Sequence, residues 1–314
     1  MCDAFAPVVM FGFNRPKLQA MSLRQFSQCD GADERDVYVF IDGARNERDE
    51  ILGNQIEMLV KKYSRKFSRM RIVRREKNLG CRGNIVAGIS EIISRYGKAI
   101  MIEDDILVSK TFLRFMDRAL VRYRNDERIW NINGYQKYFL RIPFDYPYDV
   151  YYNYIMCAWG WATWKDRWFQ VDFDMKDWPS YRSVAENIER VNDCGLRIVP
   201  LLDSQYAGIL KTWDVQCMYH MIKNRMYAIE PKFQLSKNIG CIAGGEHFSK
   251  TDHMARVQRY YNFMPRLDND VPIDGRIMGQ YRCASYDPHM LQRITRRMSR
   301  ILAMFKRTQL VPIG

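Results

Sequence analysis

The sequence contains few histidines and no closely paired cysteines, which limits the metal and redox chemistry it can support. Its 314 residues include only 4 histidines, and the 8 cysteines are scattered singly with no C-x-x-C pair. Zinc sites and thiol redox sites usually need such closely spaced ligands. We therefore expect reduced, mostly structural thiols and no zinc or redox centre.

Long apolar segments are also missing. No uninterrupted apolar stretch approaches the roughly 20 residues that a membrane-spanning helix needs. The N-terminal segment lacks the charged, apolar and cleavage regions of a signal peptide. These absences predict a cytoplasmic protein, and a hydrophobic content of 47% is ample for the core of a globular α/β protein.

Two phosphate-binding fingerprints are absent as well. The chain has neither the G-x-G-x-x-G motif of dinucleotide-binding folds nor the G-x-x-x-x-G-K-[ST] phosphate loop. This argues against a nicotinamide enzyme and against a P-loop kinase or ATPase. Nucleic-acid binding is not expected either, because the basic residues are not interleaved with stacking aromatics and no known binding module is present.

The charge balance is strongly basic. A formal net charge of +13 predicts an anionic partner without identifying it. Residues 290–314 contain six basic and no acidic side chains, with apolar residues at helical spacing. This pattern is typical of a basic amphipathic helix in a membrane interface, although a solvated tail is the alternative. We expect residues 286–314 to form such a helix on an anionic membrane surface.

The first 125 residues alternate between short apolar runs and helical periodicity. Strands are predicted over Val8–Phe13, Val37–Ile41, Met70–Arg74 and Ala99–Ile102. Helices are predicted over Pro16–Gln28, Glu47–Tyr63, Gly83–Tyr96 and Thr111–Tyr123, the last with Ser109 as its N-cap. This order predicts an α/β fold with a mostly parallel sheet that helices cover on both faces.

The pattern changes from about Trp130 onward. The second half is rich in aromatic residues and irregular segments, with a further helix predicted over Asp214–Asn224. Because the chain has no repeats and no long Gly/Ser linker, we expect residues 1–125 and 126–285 to be two halves of one compact unit.

An acidic triplet, Glu103-Asp104-Asp105, follows the fourth predicted strand. Open parallel sheets bind ligands in the crevice outside the carboxyl ends of their strands, so these acids lie where a substrate would bind. Their mutual repulsion would be relieved by Mn²⁺ or Mg²⁺, which take oxygen ligands and bridge carboxylates to a diphosphate. The alternative is a solvated acidic turn that caps the next helix.

Arg15 and Asp42 follow the first and second predicted strands. Together with the acidic triplet, they resemble the donor site of GT-A glycosyltransferases, in particular the N-acetylglucosaminyltransferase I group and similar bacterial sugar transferases. The resemblance implies that Arg15 and Asp42 hold the nucleotide and that Asp105 binds the metal ion. It places Glu103 and Asp104 against the donor sugar and ribose.

The resemblance extends over roughly residues 7–248. The Ala158–Trp164 segment is similar to a glycine-aromatic segment that walls the donor sugar, which gives Trp161 a donor-binding role. Trp213-Asp214 is similar to a motif whose acid is the catalytic base of inverting members. Because this motif opens a predicted helix, an N-cap role for Asp214 is the alternative. The animal enzyme has two consecutive acids there, whereas Asp214 is followed by a valine in this chain.

The last matching segment is Asn238-Ile239-Gly240, followed by two glycines and His247. It resembles an N-I-G…G-x-H segment of bacterial relatives, in which a nearby histidine completes the metal shell of some GT-A enzymes. The resemblance therefore makes His247 a candidate second metal ligand. An exposed loop histidine is the alternative.

These features predict a metal-dependent inverting glycosyltransferase. Its donor would be a nucleotide diphosphate sugar, with a UDP-sugar favoured, and its acceptor a hydroxyl of a lipid-linked or surface-glycan precursor. One alternative is a nucleotidyltransferase, although the glycine- and lysine-rich loop of those enzymes is missing after the first strand. Another is a non-catalytic binding protein at an anionic membrane surface.

Overall fold

The computed structural model describes residues 5–137, 139–195, 197–240, 260–268 and 271–283. The predicted C-terminal helix over 286–314 and the candidate ligand His247 lie outside the described residues. Within the described ranges, no helix combines the length and hydropathy required to cross a bilayer.

The main sheet contains strands from both halves of the chain. Its strands are β1 (Val8–Gly12), β2 (Asp36–Ile41), β3 (Arg69–Arg74), β4 (Lys98–Glu103), β6 (Ile129–Asn133), β7 (Val150–Asn153), β8 (Trp161–Trp164) and β9 (Tyr227–Pro231). Two further strands, β5 (Ile106–Val108) and β10 (Ser236–Asn238), form a small antiparallel ladder.

The helices lie between these strands and after them. The described ranges contain α1 (Pro16–Phe26), α2 (Glu47–Tyr63), α3 (Gly80–Tyr96), α4 (Phe112–Arg122), α5 (Lys165–Trp168), α6 (Trp178–Arg182), α7 (Ala185–Asp193), α8 (Ile198–Tyr206), α9 (Asp214–Lys223) and α10 (Gly275–Cys283).

The order of the eight strands is β3-β2-β1-β4-β8-β6-β9-β7. Strands β1 to β4 pair in parallel, as do β6 and β9, whereas β8 and β7 run antiparallel to their neighbours. This confirms the predicted α/β class with a mostly parallel sheet. The sequence pattern did not predict that antiparallel β8 lies between β4 and β6.

Helices cover both faces of the sheet because alternate side chains of each strand point to opposite sides. Val8 and Met10 of β1 face a core that contains residues of α1, α2 and α4. Val9 and Phe11 face a second core, which contains residues of α3 and α9. The predicted two-sided covering is therefore confirmed.

The first half of the chain follows its predicted boundaries closely, with one correction at α4. This helix begins at Phe112 with Thr111 at the N-cap position, and no side-chain capping bond is present there. Ser109 is therefore not the N-cap; its buried hydroxyl lies 3.2 Å from the Thr111 hydroxyl instead. Helix α2 begins as the sequence pattern predicts, with the Asn46 side chain accepting a bond from the Asp49 amide at 2.9 Å.

Candidate functional site

The carboxyl ends of β1, β2 and β4 lie side by side at one edge of the sheet. Phe11 of β1 is in register with Glu103 of β4, and Gly12 is in register with Ile41 of β2. Residues that directly follow these strands therefore share one edge. This register brings Arg15, Asp42 and the acidic triplet to the crevice where the sequence predicts a donor site.

Arg15 forms a clamp over two acids of the triplet. Its Nε donates to Asp104 Oδ2 at 3.0 Å, its Nη1 donates to Asp105 Oδ2 at 3.1 Å, and its Nη2 donates to Asp104 Oδ1. Burial opposes the charged guanidinium, but the two carboxylates outweigh that effect and raise the pKa of Arg15. The guanidinium therefore already offsets part of the charge repulsion within the triplet.

Glu103 is the half-buried member of the triplet. Burial raises its pKa well above the usual range for a carboxyl, and the charges of Asp105 and Asp104 raise it further. Arg15 acts in the opposite direction, and Asp214 adds to the increase. Asp214, the first residue of α9, is therefore close enough to affect the charge of the triplet, although it lies 109 positions after Asp105 in the sequence.

Asp42 links the loops that follow β2 and β3. Its Oδ1 accepts bonds from the amides of Gly43 and Leu79, both at 2.9 Å, and its Oδ2 accepts from Asn78 Nδ2 at 3.1 Å. The loops touch so closely that a Cβ on Gly43 would lie 2.2 Å from the carbonyl carbon of Lys77. Asp42 thus has a structural role at the site edge, and its contact with a nucleotide stays a prediction.

The Asn238–Gly240 segment lies against Asp105. Asn238 pairs with Ile106 in the small ladder, and the Ile239 amide donates to the Asp105 carbonyl at 2.8 Å. A Cβ on Gly240 would lie only 2.4 Å from Asp105 Oδ2, so a larger residue would displace that carboxylate. The structure therefore gives a physical reason for the glycine of the N-I-G segment.

Trp161 lies in the second core, with Val9 and Phe11. Its indole is only 1% exposed and stacks against Trp130 and Trp213, with ring centroids 5.7 Å and 5.4 Å away. The ring is therefore enclosed by other side chains, and the predicted donor contact of Trp161 stays a prediction. The indole instead supports Trp213, the residue that precedes Asp214, from inside the core.

Asp214 is the first residue of α9, and Trp213 occupies the N-cap position without a side-chain capping bond. The half-buried Asp214 carboxylate has no hydrogen bond or ion pair with any other described residue. The positive end of the helix dipole stabilises a negative charge at this position. Asp214 is therefore not the N-cap of α9, although an acid in the first turn also stabilises the helix.

Comparisons with known proteins give partial similarities. No known family profile matches the chain, and no curated protein matches it. Matching solved structures include the mannosyltransferase PcManGT from Pyrobaculum calidifontis in complex with GDP-Man and Mn²⁺, at 10% identity over 52% of this chain and 46% of that one (TM-score 0.36). Residues 1–349 of TarS from S. aureus match at 13% identity over 50% and 47% of the two chains (TM-score 0.35).

A third match is the galactosyltransferase LgtC in complex with donor and acceptor sugar analogues. It has 12% identity over 68% of this chain and 70% of that one, with a TM-score of 0.36. Two of the three are named as glycosyltransferases. The chain spans less than half the length of PcManGT and TarS.

The residues at the site fit a divalent cation only if the substrate also supplies ligands. Within the described part of the chain, no group of three or more His, Cys, Asp or Glu side chains converges as a metal cage. Mg²⁺, however, is commonly held by one or two carboxylates together with substrate phosphates and water. Asp105 offers carboxylate oxygens of this kind beside the crevice, and Asp104 adjoins it.

Sequence reasoning missed a polar cluster at the ends of β1 and β2. Asp49 Oδ2 accepts from Arg45 Nε at 2.7 Å, and its Oδ1 accepts from Asn14 Nδ2 at 2.8 Å. These two bonds, Arg45 first, lower the pKa of Asp49 to about 2. The cluster fixes Asn14 next to Arg15. The only sequence signal was an acid in the first turn of α2, which is equally typical of helix capping.

A second missed feature is the buried carboxylate of Glu230 in β9. The side chain is 0% exposed and is surrounded by asparagines and tyrosines from other elements. A single acid in an otherwise apolar strand gives no local sign of burial, because strand side chains can point to either face. Only the packing of the second half reveals it.

Proposed function

We propose that this chain is a glycosyltransferase that moves a sugar from a nucleotide diphosphate donor to an acceptor hydroxyl. The observation that supports this most directly is that Arg15 and the acidic triplet meet at one sheet edge, and that the carboxylate of Asp214 at the start of α9 is close enough to affect the pKa of Glu103. A cationic group, clustered metal-type oxygen ligands and a potential proton acceptor are the groups that such a transfer requires.

In this proposal Asp105 holds Mn²⁺ or Mg²⁺ together with the donor diphosphate, and Arg15 contacts the phosphates. The bound cation would act as a Lewis acid that offsets negative charge on the leaving diphosphate. Arginine suits the second role because its fork of N–H donors can bond carboxylate and phosphate oxygens alike. The resemblance favours a UDP-sugar as the donor.

Asp214 would act as the general base of an inverting reaction. As the acceptor oxygen forms its bond to the anomeric carbon, the bond from that carbon to the diphosphate oxygen breaks. The bonding electron pair leaves with the nucleotide diphosphate, and the acceptor proton passes to Asp214. A single displacement of this kind inverts the anomeric configuration.

We further propose a cytoplasmic protein that binds the inner face of a membrane and a lipid-linked or surface-glycan acceptor. The basic, apolar-striped sequence of residues 290–314 supports this, since each cation near an anionic surface adds about 1 kcal/mol. Truncation at Tyr286 should abolish sedimentation with anionic liposomes. Equal sedimentation of the full and truncated chains would contradict membrane binding while leaving the proposed chemistry intact.

The decisive test is a panel of nucleotide sugars with and without MnCl₂. We expect one class of donor to raise the melting temperature only when Mn²⁺ is present and to be hydrolysed slowly to nucleotide diphosphate and free sugar. The Glu127→Gln variant, which changes an exposed acid between α4 and β6, serves as a control that should behave as wild type. Pyrophosphate release from a nucleoside triphosphate and a sugar phosphate would instead indicate a nucleotidyltransferase. No stabilisation by any member of the panel would contradict the proposal.

A further inference from the structure

The buried carboxylate of Glu230 is fully hydrogen-bonded by side chains from three other elements. Its Oε1 accepts from Asn133 Nδ2 at 2.8 Å and from Asn153 Nδ2 at 2.6 Å. Its Oε2 accepts from the hydroxyls of Tyr151 at 2.7 Å and Tyr281 at 3.3 Å. Strands β6, β7 and β9 and helix α10 therefore meet at one carboxylate.

The two asparagines also hold the backbone of the segment that connects β7 to β8. Asn153 donates to the Ile155 carbonyl at 2.8 Å and accepts from the Ile155 amide at 2.9 Å. Asn133 donates to the same carbonyl at 3.2 Å and accepts from the Cys157 amide at 3.0 Å. Each asparagine thus connects Glu230 on one side with main-chain groups on the other.

This connecting segment ends at the edge that carries the candidate site. Trp161 is in register with Met101 of β4, so the residues before Trp161 run past the end of β4, where the triplet begins. The Gly160 carbonyl accepts a hydrogen bond from the Gly134 amide at 2.8 Å, and the Trp159 carbonyl accepts one from the Ser236 hydroxyl of β10. Strand β10 in turn leads to the glycine that touches Asp105.

We propose that Glu230 is a positioning residue that fixes the segment 154–160 along the side of the crevice opposite the β1 and β2 loops. That this wall would hold an acceptor hydroxyl depends on the proposed glycosyl transfer. The hydrogen-bonded connection itself does not depend on it. Glu230 acts through the two asparagines and touches no reacting group.

Burial explains why such a group needs this many partners. Desolvation raises the pKa of Glu230, while the bonds from Tyr151, Asn133 and Asn153 and the charge of Lys137 act in the opposite direction. Removing a buried acceptor leaves its donors unsatisfied, which costs more than the bond contributed. Loss of Glu230 should therefore release the asparagine amides and, with them, the backbone groups of residues 155 and 157.

Hydrogen–deuterium exchange in full-length protein tests this connection without any substrate. In Glu230→Met, which keeps bulk but has no oxygen acceptor, exchange of the Ile155 and Cys157 amides should rise by up to about tenfold, the loss expected for one typical hydrogen bond. Amides of β1 and β4 should keep their protection. Glu127→Met, on an exposed surface position, should exchange as wild type.

If Glu230→Met does not fold, Glu230→Asp provides the same measurement. It retains the carboxylate but shortens the side chain by one methylene, so the carboxylate can no longer reach both asparagines. Unchanged exchange over 154–160 in either folded variant would overturn the proposal. A uniform rise over all strands would also overturn it, because it would show a general stabilising role rather than local positioning.

Rates of hydrolysis and of transfer test the role of Glu230 separately from the proposed function. Hydrolysis of the stabilising nucleotide sugar by water should stay near the wild-type rate in the folded variant. Transfer to an alkyl glycoside probe should fall by about 10- to 100-fold, as expected when a reacting group is misplaced by about 1 Å. If no form of the protein turns over a nucleotide sugar, the proposed function fails, and the exchange result still decides the role of Glu230.

Discussion

The two halves of the sheet place their polar side chains differently. In β1, β2 and β4 the strand interiors are apolar, and the charged groups Arg15, Asp42 and the triplet come after or at the strand ends. In β6, β8 and β9 polar side chains are buried within the strands themselves: Asn131, Asn133, Thr163 and Glu230. The first half therefore has its charged groups at the ends of its strands, whereas the second half uses buried polar groups to hold its own backbone in place.

This difference predicts how the halves respond to substitution. A change at a strand end should alter ligand binding or chemistry and leave the fold intact. A change within the strands of the second half should alter stability or local order first, because buried polar groups must keep their partners. The variants below test that division, beginning with the largest expected effect.

Asp105→Ala should abolish activity while the fold persists. The substitution removes the proposed protein ligand of the metal ion and leaves the diphosphate charge unscreened, so transfer should fall by about 1000-fold or more. Rates measured with saturating donor and MnCl₂, together with the far-ultraviolet circular dichroism spectrum, would check both parts. Full activity in excess chelator would contradict the donor-site assignment.

Asp214→Asn should slow transfer by about 100- to 10,000-fold, the range expected for loss of a general base. The free energy of unfolding should change by less than about 1 kcal/mol, because no capping bond from this carboxylate is lost. Donor binding should survive, since Arg15 and Asp105 are unchanged. Near-normal transfer would remove Asp214 from the mechanism, and retention of anomeric configuration would exclude the single displacement.

Gly240→Ala tests whether the second half of the chain positions Asp105, the proposed metal ligand of the first half. The new Cβ would lie 2.4 Å from Asp105 Oδ2, so that carboxylate must move. We expect Mn²⁺-dependent activity to fall by about 10- to 100-fold. Gly279→Ala is the matched control, because nothing lies within 4 Å of a Cβ at that position. Equal activity of the two variants would show that Gly240 does not position Asp105.

His220 should make the stability of the second half depend on pH. Burial, with a smaller contribution from Lys223, lowers the pKa of this α9 histidine from 6.5 to about 4. The unfolded chain therefore takes up a proton below about pH 6.5 that the folded chain accepts only near pH 4. Stability contributed by neutral His220 is complete above pH 6.5 and is lost as the pH falls toward 4.

The expected loss is about 2 kcal/mol between pH 7 and pH 5. Urea unfolding at both pH values should show this difference in wild type. It should be smaller in His220→Met, which has a similar buried volume and no titrating group. An equal pH dependence in both proteins would assign the acid sensitivity to other groups.

The sequence predicts the first half of the molecule well and the second half poorly, for physical reasons. Helix α2 has the predicted bounds, because a cap at Asn46 and helical apolar spacing are local signals. The strands β7, β8 and β9 were not predicted. Their formation depends on partners far along the chain, and buried tryptophan, asparagine and glutamate obscure the alternation that marks a strand.

The candidate site shows the same division. Arg15, Asp42 and the triplet were placed correctly at one edge because parallel topology alone brings the ends of β1, β2 and β4 together. The burial of Trp161 was not predicted, because a motif gives the position of a residue but not the direction of its side chain. Glu230 was missed because its partners are 51, 77, 79 and 97 residues away along the chain.

The clamp of Arg15 over Asp104 and Asp105 gives the site an internal counter-ion. If the proposed donor binds with its cation, that cation would replace the Arg15 guanidinium as the positive partner of the two carboxylates. The carboxylates would therefore have a positive partner both before and after the donor binds. Part of the attraction for the incoming diphosphate is then spent on separating the existing ion pair, which moderates the affinity. When the nucleotide diphosphate leaves, the guanidinium can pair with the two carboxylates again, and this favours product release over tight retention.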